Sequence, residues 1–300
     1  MGLFSKKLKE LESKEESRVN LLKATSDIAS DVIKELSGRD NISSKKVLDN
    51  VIVFSNAAGG TGASTIVSNV AYEMSQKNLK VILIDLNITR PTQHTYLGIR
   101  QEIKKSDLIS YLVGESNLGE SIDTSNKVNL MYANNRSLND LVACESKIVV
   151  ENASNMLKKL RNLYDVVLID CPMNIEHLLC NTILYECDTI YLVWDEGIGS
   201  TIHTEKVRRD MALSGIDSYT KLRIILNKRT SIHFSDYAIK KLGLELVEVL
   251  PFALDVIDNG LRGRVFCDKG TATTSNGASF ARKISKLTTT ILKIGGYVED

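Results

Sequence analysis

The sequence lacks the features of a secreted, membrane-spanning or strongly charged protein. It has no run of about 18 apolar residues, the length that a helix needs to span a bilayer. Its N-terminus is charged throughout, which predicts no secretory signal. The formal net charge is only +1, so the overall charge gives no reason to expect nucleic-acid binding, although a local basic patch would still allow it. We therefore expect a cytoplasmic protein.

Paired metal ligands are also missing. None of the five cysteines lies in a C-x-x-C pair, which indicates free thiols in a reducing compartment rather than disulfides or a metal centre. The four histidines are scattered without ligand spacing, and we assign them no catalysis. With 43% hydrophobic and 25% charged residues, the composition is that of an ordinary globular protein.

Residues 51–65 combine a predicted buried strand with a glycine-rich loop. Four apolar residues, 51–54, are followed by three glycines within four positions and then by two hydroxyl residues and a helical pattern. This is the layout of a phosphate-binding loop, in which successive N–H groups hold an anion. The predicted phosphate contacts are Gly59, Gly60, Thr61, Gly62, Ala63, Ser64 and Thr65. The lysine that such a loop normally carries before its hydroxyl is absent, because Ala63 occupies that position.

Apolar strands alternate with helical patterns over the rest of the chain. The predicted strands are 51–54, 80–85, 128–132, 164–170, 189–194, 222–227 and 245–250. The predicted helices are 64–77, 105–115, 146–163 and 277–294. Continuous apolar strands are typical of a parallel sheet covered on both faces. We therefore expect a doubly wound α/β fold, with ligands at the carboxyl ends of the strands and Trp194 packed in the core.

Two of the predicted strands end in an aspartate. Asp85 and Asp170 would lie beside the loop, where carboxylates commonly hold Mg²⁺ next to a phosphate. The hydroxyl of Ser64 is placed to bind the ion directly. We predict a metal site formed by these three residues, with the aspartates acting indirectly, and we give both aspartates a catalytic role as a hypothesis.

Residues 1–46 form a predicted helical extension, and residues 47–300 the nucleotide-binding domain. Residues 1–14 resemble a basic amphipathic helix, which favours either peripheral contact with the inner face of the membrane or docking on a protein. Acidic residues dilute its charge.

From residue 51 to about residue 266 the chain resembles the MinD/ParA superfamily of deviant-Walker ATPases. The family motif Lys-Gly-Gly-x-Gly-Lys-[Ser/Thr]-Thr aligns with Ala58–Thr65, and the form found here is most similar to the CpaE/TadZ pilus-assembly branch. Residues 80–87 resemble the second motif, with Asn87 in place of its second aspartate, and residues 164–172 resemble Walker B. The segment around Asn227 resembles the one that recognises adenine, and the segment around Pro251 resembles the one near the base and the dimer face.

This resemblance implies ATP or ADP with Mg²⁺ as ligands. It also implies a homodimer, whose formation could depend on nucleotide. In the family, the first motif lysine reaches the partner's phosphates and the second holds the β- and γ-phosphates, but Ala58 and Ala63 stand there. Losing one such donor costs about 3–4 kcal/mol of transition-state stabilisation, or about 10²–10³ in rate. We therefore expect nucleotide binding with weak or no hydrolysis. Replacement cations could come from Arg90, Lys228, Arg229, Arg262 or Arg264.

The leading hypothesis is a switch that localises or assembles a membrane-associated machine, such as a Tad-type pilus or a secretion system. One alternative is a partitioning ATPase that binds DNA through basic helices at 146–163 and near the C-terminus. Another is a relative of bacterial tyrosine kinases, because residues 85–91 are close to the second motif of those enzymes. A structural adaptor without nucleotide is also left open.

Overall fold

The computed structural model describes residues 49–99, 106–134, 140, 144, 147–230, 234–268 and 271–297. Its strands are β1 (Val51–Asn56), β2 (Val81–Asp85), β3 (Asn129–Met131), β4 (Val166–Asp170), β5 (Thr189–Trp194), β6 (Leu222–Arg229) and β7 (Glu245–Pro251). Its helices are α1 (Ala63–Gln76), α2 (Gln93–Tyr96), α3 (Leu108–Leu112), α4 (Val150–Leu163), α5 (Leu178–Glu186), α6 (Ile198–Leu213), α7 (Ser218–Lys221), α8 (Phe234–Lys241), α9 (Leu254–Leu261) and α10 (Ser275–Ile294).

The strands form one parallel sheet in the order β3-β2-β4-β1-β5-β6-β7. This confirms the predicted doubly wound fold. The chain changes direction at β1, since β2 to β4 lie on one side of it and β5 to β7 on the other. In open α/β sheets, ligands bind at the carboxyl ends of the strands beside such a switch point. The loop that follows β1 is therefore the expected position of a ligand.

Alternate residues of β1 enter two different cores. Val51 and Val53 pack with the helices α3 to α6, whereas Ile52 and Phe54 pack with α1 and α10. Each such side chain, fully buried, stabilises the fold by about 1.5–3 kcal/mol. Trp194 is completely buried in the first core, as predicted. The sheet is thus covered on both faces, which is why the central strands β1, β2 and β4 are apolar over most of their length.

Several predicted boundaries need correction. The helix predicted from 146 begins at Val150. The strand predicted from 164 begins at Val166, because Tyr164 still donates its N–H to Leu160 at the end of α4. The helix predicted over 105–115 is only α3, which begins where Asp107 and Ser110 cap each other reciprocally. The predicted extension, residues 1–46, lies outside the described residues. Among the helices described, none has both the length and the apolar character required to traverse a bilayer.

Candidate functional site

The loop between β1 and α1, residues 57–62, is the glycine loop. Gly60 and Gly62 have left-handed backbone torsions, with φ of 80° and 102°. Only glycine adopts such torsions without strain. A Cβ atom on Gly62 would also lie 2.5 Å from Nδ2 of Asn227. Gly59 has neither restriction, since a Cβ atom there would meet nothing within 4 Å. Two of the three glycines are therefore required by the loop's own conformation.

Side chains from two strands, β1 and β6, hold the glycine loop in shape. Asn56, at the end of β1, accepts hydrogen bonds at Oδ1 from the Thr61 hydroxyl (2.7 Å) and from the N–H groups of Gly62 and Ala63 (3.2 and 3.0 Å). Asn227 donates from Nδ2 to the Thr61 carbonyl oxygen at 2.8 Å. Sequence reasoning missed Asn56, although its place directly before the glycine loop was a usable signal. The predicted adenine-side residue Asn227 thus also fixes the loop.

Lys228 is the cation that the structure places at the glycine loop. Its Nζ donates to the carbonyl oxygen of Gly60 at 2.5 Å, and its backbone has a φ of 56°, which is uncommon for a residue other than glycine. Of the other proposed replacement cations, Arg229 pairs with Glu196 and Asp236, and Arg262 pairs with Asp258. Arg90 and Arg264 are exposed and do not line the cavity described below.

Two buried carboxylates lie side by side next to the glycine loop. β2 pairs with β4 so that Asp85 is directly opposite Asp170, and both side chains are almost completely buried. Asp85 accepts hydrogen bonds from the backbone N–H groups of Asn87, Thr92 and Gln93. Burial, and then repulsion by Asp170, raise the pKa of Asp85 to about 7. The pair therefore resists carrying two negative charges unless a cation is nearby.

Asp170 is connected to the helix that follows the glycine loop. Burial raises the pKa of Asp170, while hydrogen bonds from the side chains of Gln93 and Ser64 oppose the rise. The amide Nε2 of Gln93 donates to Asp170 Oδ2 at 2.6 Å and to the carbonyl oxygen of Ser64 at 3.1 Å. Gln93 carried no sequence signal, because nothing in its local pattern distinguishes it from a surface glutamine.

The structure places the three residues predicted for Mg²⁺ near one another. Ser64, Asp85 and Asp170 supply hydroxyl and carboxylate oxygens, which are the ligands that Mg²⁺ prefers. The described residues contain no cluster of three or more acidic, histidine or cysteine side chains that could hold an ion alone.

A cavity of about 660 Å³, the site cavity, opens beside the glycine loop. Pockets for small ligands measure about 300–1,000 Å³. Its polar end is lined by loop and helix residues, and its other walls by Tyr96 of α2, Pro251, Phe252 and residues of α9. The predicted contacts that line it are Gly60, Gly62, Ala63, Ser64, Thr65, Asn227 and Pro251. Gly59 is exposed outside it, and Thr61 is buried with its hydroxyl on Asn56.

Comparisons with known proteins find a family model and curated relatives that match this chain. A protein-family model described as an AAA domain matches residues 49–201, slightly more than half of the chain. An uncharacterised ATP-binding protein of Methanocaldococcus jannaschii is 30% identical over 172 residues, which are 50% of this chain and 62% of that protein. The tyrosine-protein kinase CpsD of Streptococcus agalactiae is 27% identical over 192 residues, 63% of this chain and 80% of the kinase.

Solved structures share the fold. The septum site-determining protein MinD of Pyrococcus horikoshii, determined in complex with Mg-ADP, superimposes with a TM-score of 0.67 at 21% identity. The alignment covers 82% of this chain and 97% of MinD.

Proposed function

The chain belongs to the MinD/ParA superfamily of P-loop ATPases, and from this premise we propose that it is an ATP-binding switch that hydrolyses ATP slowly or not at all. One observation carries the proposal: an ordered glycine loop is combined with alanine at both lysine positions, Ala58 and Ala63. The loop, the site cavity and the carboxylate pair provide for binding. The two alanines remove the side chains that stabilise the moving charge.

Nucleotide binding is supported by groups that need no lysine. Backbone N–H groups of the glycine loop and of the first turn of α1 suit phosphate oxygens, and the side chain of Ser64 suits Mg²⁺. The walls formed by Tyr96, Phe252 and Pro251 suit a flat apolar base. We assign Asn227 to the base, and Gly59, Thr61 and Thr65 to the phosphate end with the remaining loop residues. The ligand would be ATP or ADP with Mg²⁺.

Weak hydrolysis is supported by the charges around the site cavity. Phosphoryl transfer is accelerated mainly by positioned cations. Lys228 is the one lysine or arginine among the described residues that line the cavity, and its Nζ is engaged with the Gly60 carbonyl. In the second motif, Asn87 stands where the family has a second aspartate, and its side chain accepts from Thr89. We assign Asp85 and Asp170 to metal and water positioning, which alone would give slow turnover.

A role in localising or assembling a membrane-associated machine, such as a Tad-type pilus or secretion system, is supported by two features. The first is the loop sequence, which is similar to the CpaE/TadZ form. The second is an exposed apolar surface, Phe252, Ile257 and Leu261, whose side chains also line the site cavity. A nucleotide bound in the site cavity would contact the same residues that we propose a protein partner binds. We further propose a homodimer, a cytoplasmic location, and peripheral membrane contact through residues 1–14.

The proposal is tested with purified protein and Mg-ATP. Calorimetry measures binding, and phosphate release measures turnover. We expect saturable ATP binding with turnover far below that of a family member that keeps both lysines. Turnover comparable to such a relative would refute the slow-switch assignment, and absence of binding would refute the whole proposal.

DNA partitioning is the first alternative. The basic residues of α10 are partly neutralised, since Lys283 and Lys286 both pair with Glu248. In α4, Arg161 pairs with Asp188. These pairs reduce the positive surface available to phosphates, so we place partitioning second. A gel shift with random duplex DNA that weakens with salt would reverse this order.

A tyrosine-kinase activity is the second alternative, and the similarity to CpsD favours it. The glycine loop lacks the lysine, and the last 20 residues contain a single tyrosine, Tyr297. Incubation with ATP labelled at the γ-phosphate separates the cases, because an autokinase would label tyrosine and a switch would not.

A further inference from the structure

Gln93 connects the carboxylate pair to the helix that follows the glycine loop. Its side chain is completely buried, and its Nε2 donates to Asp170 Oδ2 (2.6 Å) and to the Ser64 carbonyl oxygen (3.1 Å). Its backbone N–H donates to Asp85 Oδ2 at 3.0 Å. One residue therefore contacts all three residues that would hold Mg²⁺.

The orientation of the Gln93 amide is determined by its neighbours. Both groups that Nε2 meets, a carboxylate and a carbonyl oxygen, are acceptors, so the flipped amide would set oxygen against oxygen. Oε1 must therefore point elsewhere. It is buried there and accepts no hydrogen bond from any residue in the described part of the chain. Buried acceptors without a donor are rare in native proteins, so each calls for an explanation.

We propose that Gln93 is a positioning residue for the metal ion, a role that rests on the proposed nucleotide binding. Its NH₂ group fixes the carboxylate of Asp170, and its carbonyl oxygen accepts a hydrogen bond from a water molecule of the Mg²⁺ hydration shell. Mg²⁺ keeps several waters when it binds to proteins, and these waters are donors of the kind that Oε1 lacks. Residues that orient metal ligands in this way contribute strongly to metal affinity.

The test compares Gln93→Met with Gln76→Met. Methionine keeps a similar length and flexibility but has no amide, and Gln76 lies exposed at the end of α1, where the same change serves as the matched control. ATP affinity is measured by calorimetry with Mg²⁺ and with EDTA. Mn²⁺ binding to the ATP complex is measured from the paramagnetic signal of free Mn²⁺. These readouts do not depend on turnover.

We expect Gln93→Met to weaken Mn²⁺ affinity by about 10–100-fold, the range typical of outer-shell substitutions. ATP affinity in EDTA should be unchanged, and Gln76→Met should match the wild type in every measurement. Equal Mn²⁺ affinity in Gln93→Met and wild type would overturn the inference. An equal loss of ATP affinity with and without metal would also overturn it, because Gln93 would then act only through packing. A wild-type protein that binds no nucleotide would instead refute the proposed function.

If Gln93→Met does not fold, Gln93→Asn is measured in its place. Its shorter side chain keeps an amide, but the amide cannot reach both acceptors and the metal waters together. We expect the same selective loss of Mn²⁺ affinity, and wild-type Mn²⁺ affinity in this variant would overturn the inference.

Discussion

Replacing Ala63 with lysine would return to the glycine loop the cation that the family uses. Ala63 is the first residue of α1, lines the site cavity and is completely buried. Its backbone N–H is held by Asn56 Oδ1 at 3.0 Å, so the new side chain would extend from a fixed point. The residue lines the site cavity of about 660 Å³, the space that a longer side chain and a nucleotide's phosphates would share.

The expected effect follows from transition-state stabilisation. One preorganised donor aimed at developing charge contributes about 3–4 kcal/mol, or about 10²–10³ in rate. We therefore expect Ala63→Lys to raise ATP turnover by about that factor, because the lysine would balance charge at the γ-phosphate that Mg²⁺ and Lys228 leave unbalanced. Phosphate release in single-turnover mixtures measures the chemical step, and calorimetry measures ATP affinity in parallel.

The matched control is Ala278→Lys, on the exposed side of α10. It adds the same charge to the protein without placing it in the site cavity. Turnover of this variant should equal that of the wild type. If Ala63→Lys binds Mg-ATP but hydrolyses it no faster than the wild type, the missing lysine does not limit the rate, and the argument from the two alanines fails.

Three further predictions follow from the same site. Gly62→Ala should lower stability by about 1–3 kcal/mol and weaken ATP binding, because it combines a left-handed backbone with a Cβ atom 2.5 Å from Asn227 Nδ2. Thermal unfolding beside Gly59→Ala, which meets neither obstacle, checks this, and equal melting temperatures would contradict it. Burial and a neighbouring carboxylate raise the pKa of Asp85 to about 7, so without Mg²⁺ the native protein keeps a proton that the unfolded chain releases near pH 4. The free energy of unfolding should therefore fall as the pH rises from about 4 to about 7. Asp85→Asn should flatten that fall in urea titrations with EDTA, and an unchanged slope would count against the assignment. Lys228→Gln should weaken ATP affinity with little loss of global stability, because it removes the Nζ donor that holds the Gly60 carbonyl oxygen of the glycine loop. Unaltered calorimetric affinity would show that this contact does not shape the site.

The strands were predictable because burial on both faces of the sheet requires continuous runs of apolar residues. A strand covered on both faces must be apolar over most of its length, and β2 and β4 are apolar up to their final aspartates. Once the sheet was predicted to be parallel, Asp85 and Asp170 had to lie at the same edge. That they lie in adjacent strands and directly opposite each other was not predictable, because strand order depends on packing between distant segments.

Several helices were missed because their buried faces are not apolar stripes. In α6 the buried positions include Ser200 and Thr204, while Ile198 and Ile202 are exposed. Helix α5 is buried on most of its surface, so it shows no contrast between two faces. A pattern search for amphipathic periodicity cannot detect either arrangement.

The residues that hold the glycine loop and the carboxylate pair in place were harder to predict, for a different reason. Asn56 bonds to the loop that directly follows it, so its position was a usable signal. Gln93 and the Nζ of Lys228 instead act through hydrogen bonds to distant segments of the chain. Such partners are determined by tertiary placement, and the residue types themselves occur commonly on surfaces. The loop glycines, in contrast, were predictable because their conformational requirement is local.

The hydrogen bonds from Asn56 affect how the empty glycine loop exchanges its amide protons with solvent. Here the N–H groups of Gly62 and Ala63 already have an acceptor within the protein. Deuterium should therefore enter these two amides slowly even in the nucleotide-free protein, and faster after Asn56→Ala. The loop would then bind phosphate by exchanging one acceptor for another, with little ordering of the chain.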